Sequence, residues 1–152
     1  MTVNDLHGMT RDRLDALFTS SAAGPIPLGD TRGAALFLPG TKLERSLAAI
    51  ARLGFWQGKV FDEKRGELLN KIFPFGMRAI RAKVYKAPSW MDNKECIVLD
   101  YSKTSLLARV IRDEIREVSP RIYLGVVFWG KRKTINFALE IPPSVGGTIA
   151  GR

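Results

Sequence analysis

From Gly54 onward the apolar residues recur with period two, and the segments carrying this pattern are joined mostly by connections too short for anything but antiparallel neighbours. The alternation predicts strands over 56–62, 67–73, 77–86, 94–101, 121–129 and 134–141. The turns between them are Glu63-Lys64-Arg65-Gly66, Pro74-Phe75-Gly76 and the basic Gly130-Lys131-Arg132-Lys133, with a longer link from Ala87 to Asn93. With a further strand over 33–38, closed by Pro39-Gly40, this makes seven. So long a sheet has edges to protect, and closure into a barrel removes them. The expected class is mainly β with helical caps (α+β), an antiparallel meander closing into a barrel. An open sheet covered by helices is the competing architecture.

Three helices are predicted. The first runs over 11–18, with Thr10 as cap, Asp12 in the first turn, and Met9 and Leu14 in the two positions of a hydrophobic staple. The second follows the capping box Thr41-Lys42-Leu43-Glu44, has an apolar face of Leu43, Leu47, Ile50 and Leu53, and stops at Gly54. The third spans about 105–117, with Leu107, Val110, Ile111 and Ile115 on one side and Asp113, Glu114, Arg116 and Glu117 mostly on the other. The chain therefore reads as one domain over 1–141, helical in 1–54 and β-rich in 55–141, followed by a loose Gly-rich tail over 142–152.

Composition narrows the chemistry. A single cysteine, Cys96, excludes an internal disulfide, and a single histidine, His7, removes most zinc sites and His-based triads. No metal or cofactor is expected. The motifs of P-loops, dinucleotide folds, nucleophile elbows and zinc peptidases are missing from the sequence. Residues 1–18 contain Asp5, Asp12 and Asp15 and no unbroken apolar stretch, so no secretory signal is expected; with the lone thiol this predicts a cytoplasmic setting. The formal charge of +9 is uneven, being zero over 1–50, +4 over 51–100 and +5 over 101–152. Such a surface concentrates anions without choosing among nucleic acid, lipid and acidic metabolites.

Strand alternation marks the polar candidates. Asn70 lies between Leu68 and Ile72, Arg78 shares a face with Ile80, Ala82 and Val84, and Asp100 shares one with Cys96 and Val98. If these faces point inward, each polar group must be satisfied. Three arrangements do so: an Arg78–Asp100 pair with Asn70 nearby, a guanidinium that grips a ligand carboxylate, or strand-end positions that reach water. Tyr85, Tyr101 and Tyr123 are candidate hydroxyls along the strands. The strand 121–129 is apolar on both faces and is expected to be covered on both sides.

Gly54-Phe55-Trp56-Gln57-Gly58 opens the β-rich part, where a Trp between glycines can fold over a barrel end. This string resembles the signature of the bacterial GXWXG proteins and, more loosely, the opening of lipocalins, fatty-acid-binding proteins and nitrobindin-like domains. Val98-Leu99-Asp100-Tyr101, a helix containing Arg109 and Arg112, and Tyr123-Leu124-Gly125 are similar to a second block of that group. The resemblance spans about 50–141 and implies a calycin-like barrel with a cavity for an apolar or amphipathic ligand. Nitrobindin-like proteins use a histidine on a late strand, and this chain has none there, so haem is not implied.

These readings converge on a small-molecule-binding barrel for a hydrophobic or amphipathic ligand such as a fatty acid or other lipid-like acid. Trp56, Asn70, Arg78, Asp100 and Tyr123 are its expected contacts. The alternative is a cofactor-free barrel enzyme of isomerase, cyclase or dehydratase type, with Asp100 as base and Tyr101 or Tyr123 as hydrogen-bond donor. A basic nucleic-acid-binding module is the weaker alternative. Lys131, Arg132 and Lys133 are the expected contact with an anionic membrane surface.

Overall fold

The structure is a computed structural model that describes residues 1–36, 56–72, 77–103 and 108–143; the side chains of 56–57, 70–72, 77–80 and 108 lie outside the description. Among the described residues, two short helices, α1 (Val3–His7) and α2 (Arg11–Ser20), precede nine strands. These are β1 (Gly29–Asp30), β2 (Arg32–Leu36), β3 (Trp56–Asp62), β4 (Glu67–Ile72), β5 (Met77–Pro88), β6 (Glu95–Asp100), β7 (Ile111–Ser119), β8 (Ile122–Trp129) and β9 (Arg132–Glu140). They form one antiparallel sheet in the order β1-β3-β4-β5-β6-β7-β8-β9-β2. From β3 to β9 each strand pairs with the next in sequence, the meander that the short connections require.

Closure depends on one stretch near the N-terminus. β1 pairs with β3, and one residue later β2 pairs with β9, so residues 29–36 bridge the two ends of the meander and make a nearly closed barrel. Thr31 stands at the switch. Its N–H and hydroxyl both donate to the Lys59 carbonyl, at 2.9 and 2.8 Å, and its hydroxyl accepts from the Lys59 N–H at 3.2 Å. Gly58, beside it, has φ +133° at a bulge in β3, and a Cβ there would sit 2.1 Å from the Thr31 carbonyl oxygen. The second glycine of the Gly54-x-Trp56-x-Gly58 string is thus required by the seam. Gly58→Ala is expected to cost at least about 2 kcal/mol, through backbone strain and a contact that rigid backbone cannot relieve. Urea denaturation would measure it; an unchanged midpoint would remove the seam from the account.

Period two divides the strands between two cores. Inside the barrel, Phe61, Leu68, Ala82, Val84, Ile97, Leu99, Ile115, Tyr123, Phe137 and Leu139 pack together. Gly125 belongs to this face because a Cβ there would meet the Phe137 ring at 2.2 Å. Outside, Cys96, Val98, Leu124, Val126, Phe128 and Ala138 are covered by Leu6, Leu14 and Phe18 of the two helices. β8 is therefore buried on both faces, as its composition predicts. α2 starts at the expected cap, where the Thr10 hydroxyl accepts from the Arg13 N–H, and runs to Ser20. α1 is an extra helix, closed by a capping box between Thr2 and Asp5. The strand expected over 33–38 is described over Arg32–Leu36. The helix expected over 41–53, and the part of the tail from 144 on, lie outside the described residues.

Of the helix expected over 105–117, the described residues 108–117 form none. A 3-10 turn, Ala108–Val110, leads into strand β7, which also places Arg112 on a strand rather than a helix. Val110, Ile111 and Ile115 fit a helical face, and the charges between them look like its solvated side. In the fold Asp113, Glu114 and Arg116 are instead buried, on both faces of a central strand. Charged residues are stable there only with partners, and apart from Arg112, which donates to Glu114 along the same strand, the partners come from outside the local window.

Candidate functional site

Inside the barrel, a polar cluster of described residues interrupts the apolar lining. Lys59 of β3 is 3% exposed. Its Nζ donates to the Tyr101 hydroxyl at 2.6 Å and to Asp113 Oδ2 at 3.0 Å, and the Tyr101 hydroxyl donates to the same carboxylate oxygen at 3.1 Å. The ammonium also lies 5.3 Å from the Phe137 ring centroid and 5.4 Å from that of Tyr101. Each member has a local reason for its place. Thr31 fixes the Lys59 backbone, Tyr101 follows β6 on the face of Ile97 and Leu99, and Asp113 pairs across from Leu99 between the inward Ile111 and Ile115.

Burial pulls the Lys59 ammonium down, but Tyr101 and the Asp113 carboxylate outweigh it and hold its pKa above the ordinary lysine value. Lys59 is thus a fixed cation at neutral pH rather than a nucleophilic amine. Asp113, Tyr101, Phe137 and Phe61 keep small residual exposure, whereas Leu68, Ile97, Leu99, Ile115, Tyr123 and Leu139 have none.

The expected contacts are distributed differently. Asp100 lies on the outer face with Cys96 and Val98. It accepts from the Tyr85 hydroxyl at 3.1 Å and from the Ser102 N–H at 2.8 Å. Burial raises its pKa, but Ser102, Tyr85 and Arg112 hold it below the ordinary aspartate value, which suits an anion more than a base. Tyr101 and Tyr123 are on the inner face, so Asp100 and the two tyrosines do not form one site. Tyr123 donates to the Pro25 carbonyl at 2.8 Å, and burial pushes its phenol up to about 12, with Glu117 adding to the rise. Asn70 is the register partner of Lys59, and Arg78 that of Lys71. The side chains of Trp56, Asn70 and Arg78 lie outside the described residues.

Neither Lys59 nor Asp113 is among the contacts expected from the sequence. A signal for Lys59 exists, since period two puts it on the face of the apolar Phe61. Asp113 was hidden by the helical reading of its segment. Among the described residues no three His, Cys, Asp or Glu side chains are placed to share a metal ion. Among them, too, no helix is long and apolar enough to cross a membrane.

The outer face carries a second group of buried charges that holds the 89–94 loop. Glu114 Oε2 accepts from the Ser89 hydroxyl at 2.5 Å, and Oε1 accepts from the Trp90 N–H and Arg112 Nε, both at 2.9 Å. Arg116 forms a bidentate pair with Asp92, 2.7 Å on each arm. Cys96 is buried nearby, its thiol pushed up to about 12 by burial and by Glu114, which leaves it unreactive.

No protein-family model matches the chain, and no curated protein matches it. Among solved structures the chain is similar to a crystal structure of a protein from Thermomonospora curvata. The TM-score is 0.60 over 89% of each chain, at 19% identity. At that identity the likeness is one of fold, and it supports the barrel.

Proposed function

We propose that the barrel binds a small amphipathic acid, a fatty acid or similar lipid-like molecule, with its acidic head at Lys59 and Tyr101 and its apolar part along Phe61, Val84 and Phe137. The observation that carries this reading is a lysine held charged inside an apolar barrel. A buried ion pair is commonly no more stabilising than an apolar pair of the same volume, so structure alone gives little reason for it. Buried groups with perturbed pKa values concentrate where ligands or substrates bind. The calycin-like reading of Gly54-x-Trp56-x-Gly58 points the same way, and the unreactive single thiol fits a cytoplasmic carrier. An incoming carboxylate would share the Lys59 ammonium with Asp113, the Tyr101 hydroxyl turning to donate to the newcomer.

Native mass spectrometry of the purified protein, followed by denaturing extraction, tests this. The wild type is expected to carry a near-stoichiometric lipid-like acid. Lys59→Met/Asp113→Leu, which removes both charges together, is expected to lose it while keeping the β circular dichroism. A wild type that also fails to take up added long-chain fatty acid, or a double variant that still carries the acid, would refute the assignment.

A further inference from the structure

One end of the barrel carries an exposed apolar and cationic rim outside the binding cluster. Trp129, at the end of β8, is 60% exposed, and Val110, at the entry to β7, is 39% exposed. They are tied together: the Gly130 N–H donates to the Val110 carbonyl at 2.7 Å, and Ile111 pairs with Trp129 in the ladder. Ile111 and Val127 pack against the interior core, and Trp129 continues their face beyond it, so it stands at the rim of the interior rather than on the outer wall.

Exposed cations flank this pair along the chain: Arg109 before Val110, and Lys131 and Arg132 after Trp129. The sequence has no acidic residue over 101–112 or over 118–139, the two runs that meet here. Lys133 does not belong to the rim. It lies in β9 and turns back to Asp15 of α2, with burial and Arg11 lowering it to about 8.

We propose that this rim docks on an anionic lipid bilayer, with Trp129 and Val110 entering the interface and the three cations facing the headgroups. The proposal rests on the binding reading for its purpose, since a carrier of lipid-like acids must meet a membrane. Charge complementarity calls for an anionic partner, and the exposed apolar pair among the cations favours a bilayer. An aromatic and an aliphatic side chain at a tip, flanked by cations, is the pattern of an interfacial anchor. A single-stranded nucleic acid needs open aromatic faces for stacking. The neighbouring Trp90 ring is instead taken by Arg112 at 4.4 Å and Lys131 at 3.9 Å.

The test is co-sedimentation of the full chain with phosphatidylcholine vesicles, with and without phosphatidylglycerol, at low and high salt. Binding is expected only with phosphatidylglycerol and is expected to fall at high salt. Each cation is worth roughly fivefold in affinity, so Lys131→Ala/Arg132→Ala should lose about 25-fold. Trp129→Ala should lose roughly tenfold and abolish the blue shift of tryptophan fluorescence on vesicles. These positions are exposed, and unchanged melting curves would show that the variants are folded. No binding to phosphatidylglycerol vesicles, or equal binding by wild type and variants, overturns the proposal. So does binding of a short single-stranded RNA, lost in the double variant, without vesicle binding. Lys59→Met/Asp113→Leu should keep its vesicle affinity, so loss of the ligand reading and loss of the docking reading are distinguishable.

Discussion

Arg116→Met should destabilise the protein by about 3–5 kcal/mol, the range for removing one member of a buried, hydrogen-bonded ion pair. All five guanidinium N–H groups have acceptors. Nε donates to the Glu95 carbonyl at 3.1 Å. Nη1 donates to the Phe18 carbonyl at 2.9 Å and to Asp92 at 2.7 Å, and Nη2 to Asp92 at 2.7 Å and the Lys94 carbonyl at 3.0 Å. The guanidinium also lies 4.6 Å from the Phe18 ring centroid, near the C-terminal end of α2, where the helix dipole favours a cation. One side chain thus joins α2, the 89–94 loop and the central strand β7. Methionine fills similar space but leaves the Asp92 carboxylate without its guanidinium and takes one donor from each of the Phe18, Lys94 and Glu95 carbonyls. The hydrogen bonds from Arg116 hold the Asp92 carboxyl below its ordinary value against the effect of burial. The folded pKa is the lower one, so the stabilisation is full above the ordinary aspartate range and is lost as pH falls through the depressed value. Urea denaturation between neutral and acid pH would measure both effects. A loss under about 1 kcal/mol, or an acid dependence unchanged in the variant, would contradict this account.

Lys59→Met alone is the second large loss, again about 3–5 kcal/mol, because it leaves the Asp113 carboxylate in the apolar interior with only the Tyr101 hydroxyl described beside it. Lys59→Met/Asp113→Leu should recover most of that stability, since neither charge is then left buried alone. The recovery separates a binding role from a structural one: the double variant is expected to be stable and empty. The raised pKa of Lys59 gives an alkaline signature. Its folded pKa lies above the unfolded one, so its contribution is complete below the ordinary lysine value and disappears as pH rises through the folded value. The wild type should therefore lose stability above that range more steeply than the double variant. Equal stability of the single and double variants would show that Asp113 finds another partner or a proton.

Much of the barrel is legible in the residues themselves. Alternation and turn chemistry place β3 through β6, β8 and β9 within a few residues, and Thr10 places the start of α2, because each signal is complete within a short window. The same alternation shows that Asn70 and Asp100 each share a face with apolar neighbours. It does not say which face of β6 is inside, because Cys96 and Val98 are as apolar as Ile97 and Leu99. That choice was made by the helices, which cover the Cys96 face with Leu6, Leu14 and Phe18 and put Asp100 outside with Tyr85.

The sequence by itself therefore determined the meander, its turns and the doubly buried β8. Tertiary structure alone decided β7, the inner and outer faces, and the site. Asp113, Glu114 and Arg116 can be buried in a strand only because Lys59, Ser89 and Asp92, each more than twenty residues away in the chain, arrive to satisfy them. Read locally, those charges belong to water, and the segment has the pattern of a surface helix. The free energy that makes it a central strand is held in contacts that exist only after the barrel has formed.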